Sequence, residues 1–280
     1  MGTGQQRKRT ATLPEERRRV ILDQIDRQPI VRAEDLAARL GASIETVRRD
    51  LLALEQQGLT RRVYGGVTRP RAHPVEPPFE QRRLTRAPQK RAMAQLAISL
   101  VTPGTTLILD IGTSVAEIAR QLPATYRGRI LTNSLLVAFE LAGREGIELL
   151  VSGGRVRGGD LACFGPHAEA LFGGFYGGIA FLGSGALHPV IGLTDHYIDE
   201  IPSRRLILEH ADEVYVMADS SKLGQIAPAK VCDLAALTAI ITDDGVDGEL
   251  EQAFGDAGVR LLIAPTLPSD DAAVEGVRMA

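Results

Sequence analysis

The chain has 280 residues, of which 44% are hydrophobic and 24% charged, and its formal net charge is −3 at pH 7. This length suits a small module and one larger domain, and the hydrophobic content is sufficient for a buried core. Two cysteines, Cys163 and Cys232, are too few and too isolated for a disulfide framework or a zinc site, which excludes the disulfide-stabilised and zinc-finger classes.

The small net charge conceals an uneven distribution along the chain. Residues 1–91 contain 20 Lys and Arg against 11 Asp and Glu, whereas the remaining residues contain 12 against 24. A basic N-terminal part and an acidic remainder indicate a nucleic-acid partner at one end only. There is no apolar run of the roughly 18 residues that a membrane span needs, and the N-terminal stretch is not that of a signal peptide. We therefore expect a soluble, cytoplasmic protein with no membrane partner.

The first predicted elements lie at the basic end. Residues 1–13 form a basic cluster that we expect to be a disordered tail. A helix is predicted from Pro14 to Arg27, because proline is favoured in the first turn of a helix. Its apolar residues Val20, Ile21 and Ile25 are expected to be its buried face.

The segment 36–67 reads LAARLGASIETVRRDLLALEQQGLTRRVYGGV. A short helix meets a tight turn at Gly41, and Ser43 is placed to cap a second helix. At about 100° per residue, a single stripe that must face the core contains Ile44, Val47, Leu51 and Leu54. A basic hairpin with Gly-Gly at its turn follows. This order of parts predicts a winged helix-turn-helix over residues 14–69, whose second helix enters the major groove of double-stranded DNA.

The polar face of the second helix and the hairpin supply the predicted DNA contacts. These contacts are Ser43, Glu45, Thr46, Arg48, Arg49, Arg61, Arg62, Tyr64, Gly65 and Gly66. Arg49 lies opposite the apolar stripe, where a base edge is within reach. The alternative is a solvated, Arg-rich helix face in a protein-interaction module, which requires cap, turn, stripe and hairpin to coincide by accident.

A linker and a larger domain follow. Residues 70–88 hold five prolines and predict an extended linker. From 89 to 266, short apolar strands alternate with helices, which predicts an α/β domain with a mostly parallel sheet and helices on both faces. Residues 267–280 are expected to be a frayed tail.

Polar and glycine residues gather where the predicted strands end. Five such loops are DIGTS at 110–114, TNS at 132–134, SGG at 152–154, GSG at 183–185 and DSSK at 219–222. Ligands of open α/β sheets bind at the carboxyl ends of the strands. Glycines and hydroxyls before a helix expose N–H groups that suit a phosphate, and Asp110 and Asn133 suit sugar hydroxyls. The loops together predict a pocket for a small anionic polyol.

Residues 15–67 resemble a known family. The pieces ERRRVILDQI, TVRRDL, GL followed by RR, and YGG are similar to the DNA-binding domain of DeoR-type bacterial transcriptional regulators. The resemblance implies a recognition helix with Ser43, Thr46, Arg48 and Arg49, and a wing with Arg62, Gly65 and Gly66. Tyr64 stands where the family often has His.

Residues from about 90 to 264 resemble the effector-sensing domain of the same family. The matching pieces are LILDIGTS, LTNS, SGGRVRGG, FLGSGA, GLT, the DE before SRR, and ADSSKLG. The resemblance implies a fold similar to ribose-5-phosphate isomerase and glucosamine-6-phosphate deaminase, and a phosphorylated sugar as effector. The implied site consists of Asp110, Gly112, Thr113, Ser114, Asn133, Gly153, Gly154, Glu200, Arg204 and Lys222. The chain departs from the family at Gly177-Gly178, where an Asp is usual, and at Arg204, where Lys is frequent.

The interpretation that follows is a regulator, most simply a repressor of sugar metabolism genes released by a phosphorylated sugar. One recognition helix covers few base pairs, so a dimer or tetramer of the chain is expected. The enzymatic alternative is a sugar-phosphate isomerase or deaminase with a DNA-binding appendage. It lacks a carboxylate base in the loop 183–186, and we expect no enzyme. Neither a full dinucleotide fingerprint nor metal-ligand histidine spacing is found, so no cofactor or metal is expected. A third possibility is a scaffold whose α/β domain binds only protein.

Overall fold

The computed structural model of the protein describes residues 14–28, 30–56, 60–63, 66–68 and 76–266. The chain divides into two compact units, with the boundary between Ala72 and His73. Among the described residues, no helix combines the length and the apolar character needed to cross a bilayer.

The first unit has the order of elements that the sequence predicts. Its elements are α1 (Pro14–Arg27), α2 (Ala33–Leu40), α3 (Ile44–Gln56), β1 (Arg61–Val63) and β2 (Gly66–Thr68). Gly41 ends α2 in the left-handed conformation, with φ of 59°, and its N–H donates to the carbonyl of Ala38. Glycine adopts this conformation without the steric cost of a Cβ, so the chain turns sharply from α2 into α3.

Apolar side chains from all parts of the first unit form one core. The buried members are Ile21, Ile25, Val31, Leu36, Ala37, Val47, Leu51, Leu54 and Val67. Val31 and Val67 exchange two backbone hydrogen bonds of 2.9 and 2.8 Å, which tie the hairpin to the segment before α2. Two residues differ from the expectation. Val20 is only partly buried, and Ile44 is 41% exposed because it opens α3 one turn before the buried stripe begins.

The second unit alternates helices and strands. Its helices are α4 (Phe79–Leu84), α5 (Ala87–Ser99), α6 (Thr113–Gln121), α7 (Leu135–Leu141), α8 (Pro166–Gly174), α9 (Ile201–His210) and α10 (Gly248–Asp256). Its strands are β3 (Leu107–Leu109), β4 (Gly128–Thr132), β5 (Ile147–Val151), β6 (Arg155–Val156), β7 (Cys163–Phe164), β8 (Gly177–Leu182), β9 (Ala186–His188), β10 (Gly192–Asp195), β11 (Ala211–Met217), β12 (Ala229–Cys232), β13 (Ala239–Asp243) and β14 (Leu261–Ala264). Short 3-10 turns lie at Ile198–Glu200, Ser220–Lys222 and Leu234–Ala236.

A seven-stranded sheet organises this unit. Its strand order is β14-β13-β11-β8-β3-β4-β5, and every neighbouring pair is parallel. Successive side chains of a strand point to opposite faces, so Leu107 and Leu109 join one apolar cluster and Ile108 joins the other. Helices cover both clusters, for example α5 through Met93 and α8 through Phe172. The predicted α/β class with a mostly parallel sheet is confirmed.

Short antiparallel strands are the part of the fold that the sequence did not predict. Strand β10 pairs with β9 and β12, and β6 pairs with β7. These strands have only two to four residues, which is too short for an alternating pattern to be recognised. Helix α8 was missed as well, since its sequence PHAEALFGG ends in two glycines.

The predicted linker, residues 70–88, extends too far. Residues 79–84 and 87–99 are helical, and Phe79 is 4% exposed within the core of the second unit. Pro78 is the N-cap of α4, and Pro88 lies in the first turn of α5. Prolines at such positions start helices instead of extending the chain, which explains the difference.

Candidate functional site

Helix α3 presents a polar surface that is fixed at its first turn. The Ser43 hydroxyl accepts the backbone N–H of Thr46 at 3.2 Å and lies 2.8 Å from the Thr46 hydroxyl. This is an N-cap, as the sequence predicted. Glu45, Arg48 and Arg49 are exposed on the helix, whereas Thr46 is partly buried. A capped helix with two exposed arginines suits insertion into a DNA groove.

A buried ion-pair cluster holds α3 against α1. Asp50 is 3% exposed and accepts hydrogen bonds from Arg17 Nε at 2.7 Å and Arg18 Nε at 3.2 Å. Asp50 lies on α3 directly after Arg49, so the pairing fixes the rotation of the exposed face. The sequence showed these charges but not their pairing, because it depends on how two helices pack.

The predicted wing is a two-stranded antiparallel hairpin. Arg61 pairs with Thr68, Arg62 with Val67 and Val63 with Gly66. A Cβ on Gly66 would lie 2.5 Å from the carbonyl oxygen of Val31, so the close approach of the hairpin requires glycine there. Tyr64 and Gly65, and the side chains of Arg61 and Arg62, lie outside the described residues, and their DNA contacts stay a prediction.

A polar pocket lies at the carboxyl edge of the seven-stranded sheet. Its volume is about 380 Å³, part of it open to solvent. It is lined by Glu76, Arg82, Ile111, Gly112, Thr113, Ser114, Asp160, Gly183, Ser184, Asp195, Glu200, Arg204, Met217 and Lys222. Four acidic and three basic side chains in one lining make it a binding site for a polar molecule with both anionic and hydroxyl groups.

Arg204 is the centre of the pocket floor. It is 3% exposed, and its guanidinium reaches three carboxylates, with Nε 2.8 Å from Asp110 Oδ2, Nη2 3.1 Å from Glu200 Oε2 and Nη1 bonded to Asp195. The three carboxylates come from separate elements: the end of β3, the end of β10 and the turn before α9. A second arginine, Arg157, pairs with Glu200 and Asp160.

Burial and neighbouring charges shift the pKa values of these carboxylates in different directions. Burial raises the pKa of Glu200 to about 8 and outweighs the opposing effect of Arg204. Burial also raises the pKa of Asp110, even though Arg204 lies beside it. For Asp195 the effect of burial is overcome by the charge and hydrogen bonds of Arg204, so its pKa lies below the ordinary value. The floor therefore contains both hydrogen-bond acceptors and a carboxyl group that retains a proton near neutral pH, which together suit sugar hydroxyls.

The pocket also offers hydrogen-bond donors. Helix α6 begins at Thr113, and Gly112, with φ of 126°, has no side chain with which to cap it. The first N–H groups of α6 therefore remain available to an anion. Lys222 lies nearby and donates from Nζ to the carbonyl of Ser184, and burial lowers its pKa. A Cβ on Gly183 would lie 2.4 Å from the carbonyl oxygen of Ile111, which makes glycine necessary where the two loops meet.

The structure brings most of the predicted effector residues together. Six of them line the pocket: Gly112, Thr113, Ser114, Glu200, Arg204 and Lys222. Asp110 lies behind the lining and contacts Arg204. Asn133 is buried after β4, outside the lining, and Gly153 and Gly154 follow β5, also outside it. A Cβ on Gly154 would lie 2.9 Å from the carbonyl oxygen of Phe164, so packing accounts for that glycine.

The sequence analysis missed several lining residues. They are Glu76, Arg82, Asp160 and Asp195. Asp195 follows the apolar residues of β10, which is the same signal that identified Asp110, but β10 itself was not recognised. Glu76 and Arg82 fall in the segment predicted as linker, where no local pattern points to a pocket.

Gly177-Gly178 lies away from the pocket. The two glycines begin β8, whereas the pocket lies beyond the other end of this six-residue strand, at Gly183. At about 3.3 Å per residue the two ends are roughly 17–20 Å apart. A Cβ on either glycine would come within 2.8 Å of a neighbouring side chain, Ile108 or Thr105. The departure at this position is therefore explained by packing at the base of the sheet.

In the part of the chain that the structure describes, no group of three His, Cys, Asp or Glu side chains is placed to hold a metal ion. His188 is buried, and its Nδ1 accepts the backbone N–H of Val190 at 3.1 Å. Neither His188 nor His196 belongs to the pocket lining.

A helix-turn-helix unit followed by an α/β unit with a polar pocket at the carboxyl edge of its sheet defines a ligand-responsive DNA-binding regulator. Residues 17–72 match the DeoR-like helix-turn-helix domain, and residues 85–244 match the DeoR C terminal sensor domain. The chain therefore belongs to the DeoR family of transcriptional regulators, which confirms the predicted DNA-binding regulator.

Relatives across nearly the whole chain agree with this assignment. The HTH-type transcriptional regulator GlpR of Haloferax volcanii is 34% identical over 252 residues, which cover 89% of this chain and 98% of that protein. The glycerol-3-phosphate regulon repressor of Escherichia coli is 28% identical over 241 residues, covering 86% and 95%. Both are named as regulators of transcription, in line with the prediction that the chain is not an enzyme.

Solved structures similar to the chain include a ribose 5-phosphate isomerase from Methanocaldococcus jannaschii. The two share 18% identity, the match covers 48% of this chain and 52% of that one, and the TM-score is 0.35. So low a TM-score carries no conclusion about activity.

Proposed function

We propose that this DeoR-family regulator is a repressor of sugar metabolism genes whose hold on its operator is weakened by a phosphorylated sugar. The observation that carries the proposal is that one lining combines two kinds of group. Lys222 and the first N–H groups of α6, together named the donor side here, offer hydrogen-bond donors, and the carboxylates around Arg204 offer acceptors.

The donor side suits a phosphate. Backbone N–H groups at a helix start and a lysine are both favourable partners of a doubly charged anion. The acidic floor would repel that anion, so the phosphate binds at the donor side and the hydroxyl-bearing part of the sugar faces Glu200 and Asp195. Carboxylates that accept two or more hydroxyl protons distinguish a polyol from an apolar phosphate ester.

The comparison with relatives supports a phosphorylated metabolite. The name of the Escherichia coli relative refers to glycerol 3-phosphate, a small phosphorylated polyol. Such a molecule carries both an anion and hydroxyl groups, which match the cations and the acidic side chains of the pocket lining.

The DNA partner is a double-stranded operator, contacted by Ser43, Arg48 and Arg49 of α3 and by the hairpin. One recognition helix reads few base pairs, and specific sites are normally read as two half-sites by a symmetric dimer. We therefore propose that two or four copies of the chain assemble on the operator.

A thermal-shift screen of the purified protein tests the effector. We expect phosphorylated sugars, and not their unphosphorylated counterparts, to raise the unfolding temperature. A compound present at about 100 times its dissociation constant adds roughly 2.7 kcal/mol to the free energy of unfolding, which gives a clear shift. A screen in which no phosphorylated compound shifts the temperature would contradict the proposal.

Replacement of Lys222 assigns the binding to the pocket. Lys222→Met removes the cation of the donor side, and we expect it to abolish the thermal shift while DNA binding persists. Lys230→Met is the matched control, because Lys230 is exposed, pairs with Asp233 and lies outside the lining. Full retention of the shift in Lys222→Met, with both variants folded, would show that the phosphate binds elsewhere.

A further inference from the structure

The pocket is lined by a segment that precedes the sheet. Residues 76–86, named here the leading segment, contain α4 and contribute Glu76 and Arg82 to the lining. Only seven residues, 69–75, separate this segment from β2 of the first unit. The part of the chain that leads to the DNA-binding unit is therefore also a wall of the ligand pocket.

Most of the leading segment is firmly anchored to the second unit. Phe79 is 4% exposed in the core. Lys90 Nζ donates to the carbonyls of Arg82 and, at 2.6 Å, of Thr85. Arg86 Nη1 donates to the Ser220 hydroxyl at 3.0 Å. From Phe79 onward the backbone is thus held by core packing and by three side-chain hydrogen bonds.

The start of the segment is held differently. Arg82 Nη1 lies 2.9 Å from Glu76 Oε1, and Arg82 Nε donates to the carbonyl of Pro77 at 3.0 Å. Both side chains are largely buried, with 15% of Arg82 and 9% of Glu76 exposed. Within the described residues, Arg82 is the ion-pair partner that keeps Glu76 at the pocket.

We propose that an anionic ligand takes Arg82 away from Glu76 and thereby moves the start of the leading segment, which changes the connection to the DNA-binding unit. This inference rests on the proposed function, since it requires an anion in the pocket. A phosphate at the donor side faces two cations, Lys222 and Arg82, and among the lining carboxylates Glu76 is the one that pairs with Arg82. Arg82 pairs better with a doubly charged phosphate than with a single carboxylate, and Glu76 beside that phosphate is repelled.

The direction of the movement follows from the anchors. Phe79 and the bonds from Lys90 and Arg86 hold the segment on its C-terminal side, whereas the Glu76–Arg82 pair and the Pro77 carbonyl hold its N-terminal side. Breaking the pair frees residues 76–77 only, because the Pro78 carbonyl still accepts the backbone N–H of Arg82 at 3.0 Å. These residues directly follow residues 69–75, which connect the leading segment to the first unit. A change of the ion-pair partner of Arg82 therefore alters the chain next to that connection.

Two substitutions in the full-length protein separate ligand contact from transmission. Glu76→Gln removes the carboxylate that competes with the ligand for Arg82. Arg82→Gln removes the guanidinium that both the Glu76 carboxylate and the phosphate bind. The probes are glycerol 3-phosphate, ribose 5-phosphate and glucosamine 6-phosphate, each with its unphosphorylated counterpart. Ligand binding is measured by thermal shift, and DNA binding is measured on an operator selected from random DNA by the wild-type protein.

We expect the active probe to bind Glu76→Gln at least as tightly as wild type, while the ratio of operator affinities without and with that probe falls to near one. Arg82→Gln should bind the probe roughly tenfold or more weakly, since it loses a charge-assisted hydrogen bond. Arg83→Gln is the control, because Arg83 lies on the same helix, pairs with Glu80 and is outside the lining.

The outcomes distinguish this inference from the proposed function. If Glu76→Gln binds the probe and keeps the wild-type ratio of operator affinities without and with it, the ion-pair exchange is wrong, whereas the proposed sugar-phosphate pocket is unaffected. An Arg82→Gln variant that binds as well as wild type would remove Arg82 from the ligand contacts. Failure of every probe to bind the wild-type protein would instead overturn the proposed function, and this inference with it.

Discussion

A single guanidinium holds three carboxylates in the pocket floor. Arg204 bonds to Asp110, which lies 94 residues before it in the chain, and to Asp195 and Glu200, which are close to it in sequence. One positive charge cannot balance three negative ones, and water is largely excluded here. Arg157 supplies a second charge, but it is shared with Asp160. Burial is the main reason that the pKa of Glu200 is raised to about 8, and the charges of Asp195 and Asp110 raise it further.

The raised pKa of Glu200 makes the stability of the protein depend on pH. Glu200 releases its proton near pH 4.5 in the unfolded chain and near pH 8 in the folded one. Between these values the folded state holds a proton that the unfolded state has lost, so the free energy of unfolding falls as pH rises. In Glu200→Gln this contribution is absent. We expect the stability of the variant relative to wild type to increase from pH 5 to pH 8, by at most about 1.4 kcal/mol per pH unit.

Urea unfolding at several pH values across this window measures the effect. Glu209→Gln is the matched control, because Glu209 is an exposed glutamate on α9 outside the pocket. Its stability should follow that of wild type at every pH. Parallel profiles for Glu200→Gln and wild type would show that Glu200 is ionised in the folded state across the window.

At the scale of the elements, α3 depends on its first turn for both stability and function. Ser43 satisfies the N–H of Thr46, which lies in the same turn as Glu45 and just before Arg48 and Arg49. Fraying of this turn would release the residues that are proposed to meet DNA. Asp50, in the next turn, is fixed by α1, so the first turn is the part of the helix that the cap alone secures.

Removal of the cap should therefore loosen the start of α3. Ser43→Ala is expected to lower local stability by about 1 kcal/mol, because the N–H of Thr46 loses its acceptor. Hydrogen exchange of the α3 amides in the full-length protein should become about fivefold faster in the first turn and remain unchanged beyond Asp50. Ser43→Asn retains a capping oxygen and should restore the protection. Equal protection in Ser43→Ala and wild type would mean that the Ser43 hydroxyl does not stabilise the helix.

The elements differ in how far the sequence predicts them. The α3 cap and the Val47, Leu51 and Leu54 stripe are local patterns with helical period, so they could be read directly. The loops at 110–114 and 219–222 follow the apolar runs LIL and VYVMA, and their convergence follows from a parallel sheet. Glu76 and Arg82 could not be predicted, because only tertiary packing brings this segment to the sheet edge. Asp195 was missed because β10 reads GLTD, with one large apolar residue, and its pairing with β12 is non-local.

Across the whole molecule, charge is separated in a way that suits its proposed partners. The first 91 residues carry an excess of basic side chains and the rest an excess of acidic ones. The basic part attracts the phosphate backbone of DNA and the acidic part is repelled by it, so we expect DNA to bind at the N-terminal part of the chain. Most of this attraction does not depend on the DNA sequence. Discrimination between DNA sequences must therefore come from the few side chains that reach base edges. Arg49, exposed on the outer face of α3, is the strongest candidate.

Binding of two copies to two half-sites predicts how the replacement of Arg49 changes the affinity for different DNAs. Because we propose that two copies bind one operator, each operator meets Arg49 twice. Arg49→Ala should cost about 1–3 kcal/mol per half-site, because a bidentate contact to a base is lost. The loss on a symmetric operator should then be about twice the loss on an operator with one half-site scrambled, and it should be small on random DNA.

Arg91→Ala removes the same charge from an exposed position on α5 and should change none of these affinities. Equal losses on all three DNAs would make Arg49 a phosphate contact, and equal losses on the symmetric and half-scrambled operators would mean that a single copy reads the site.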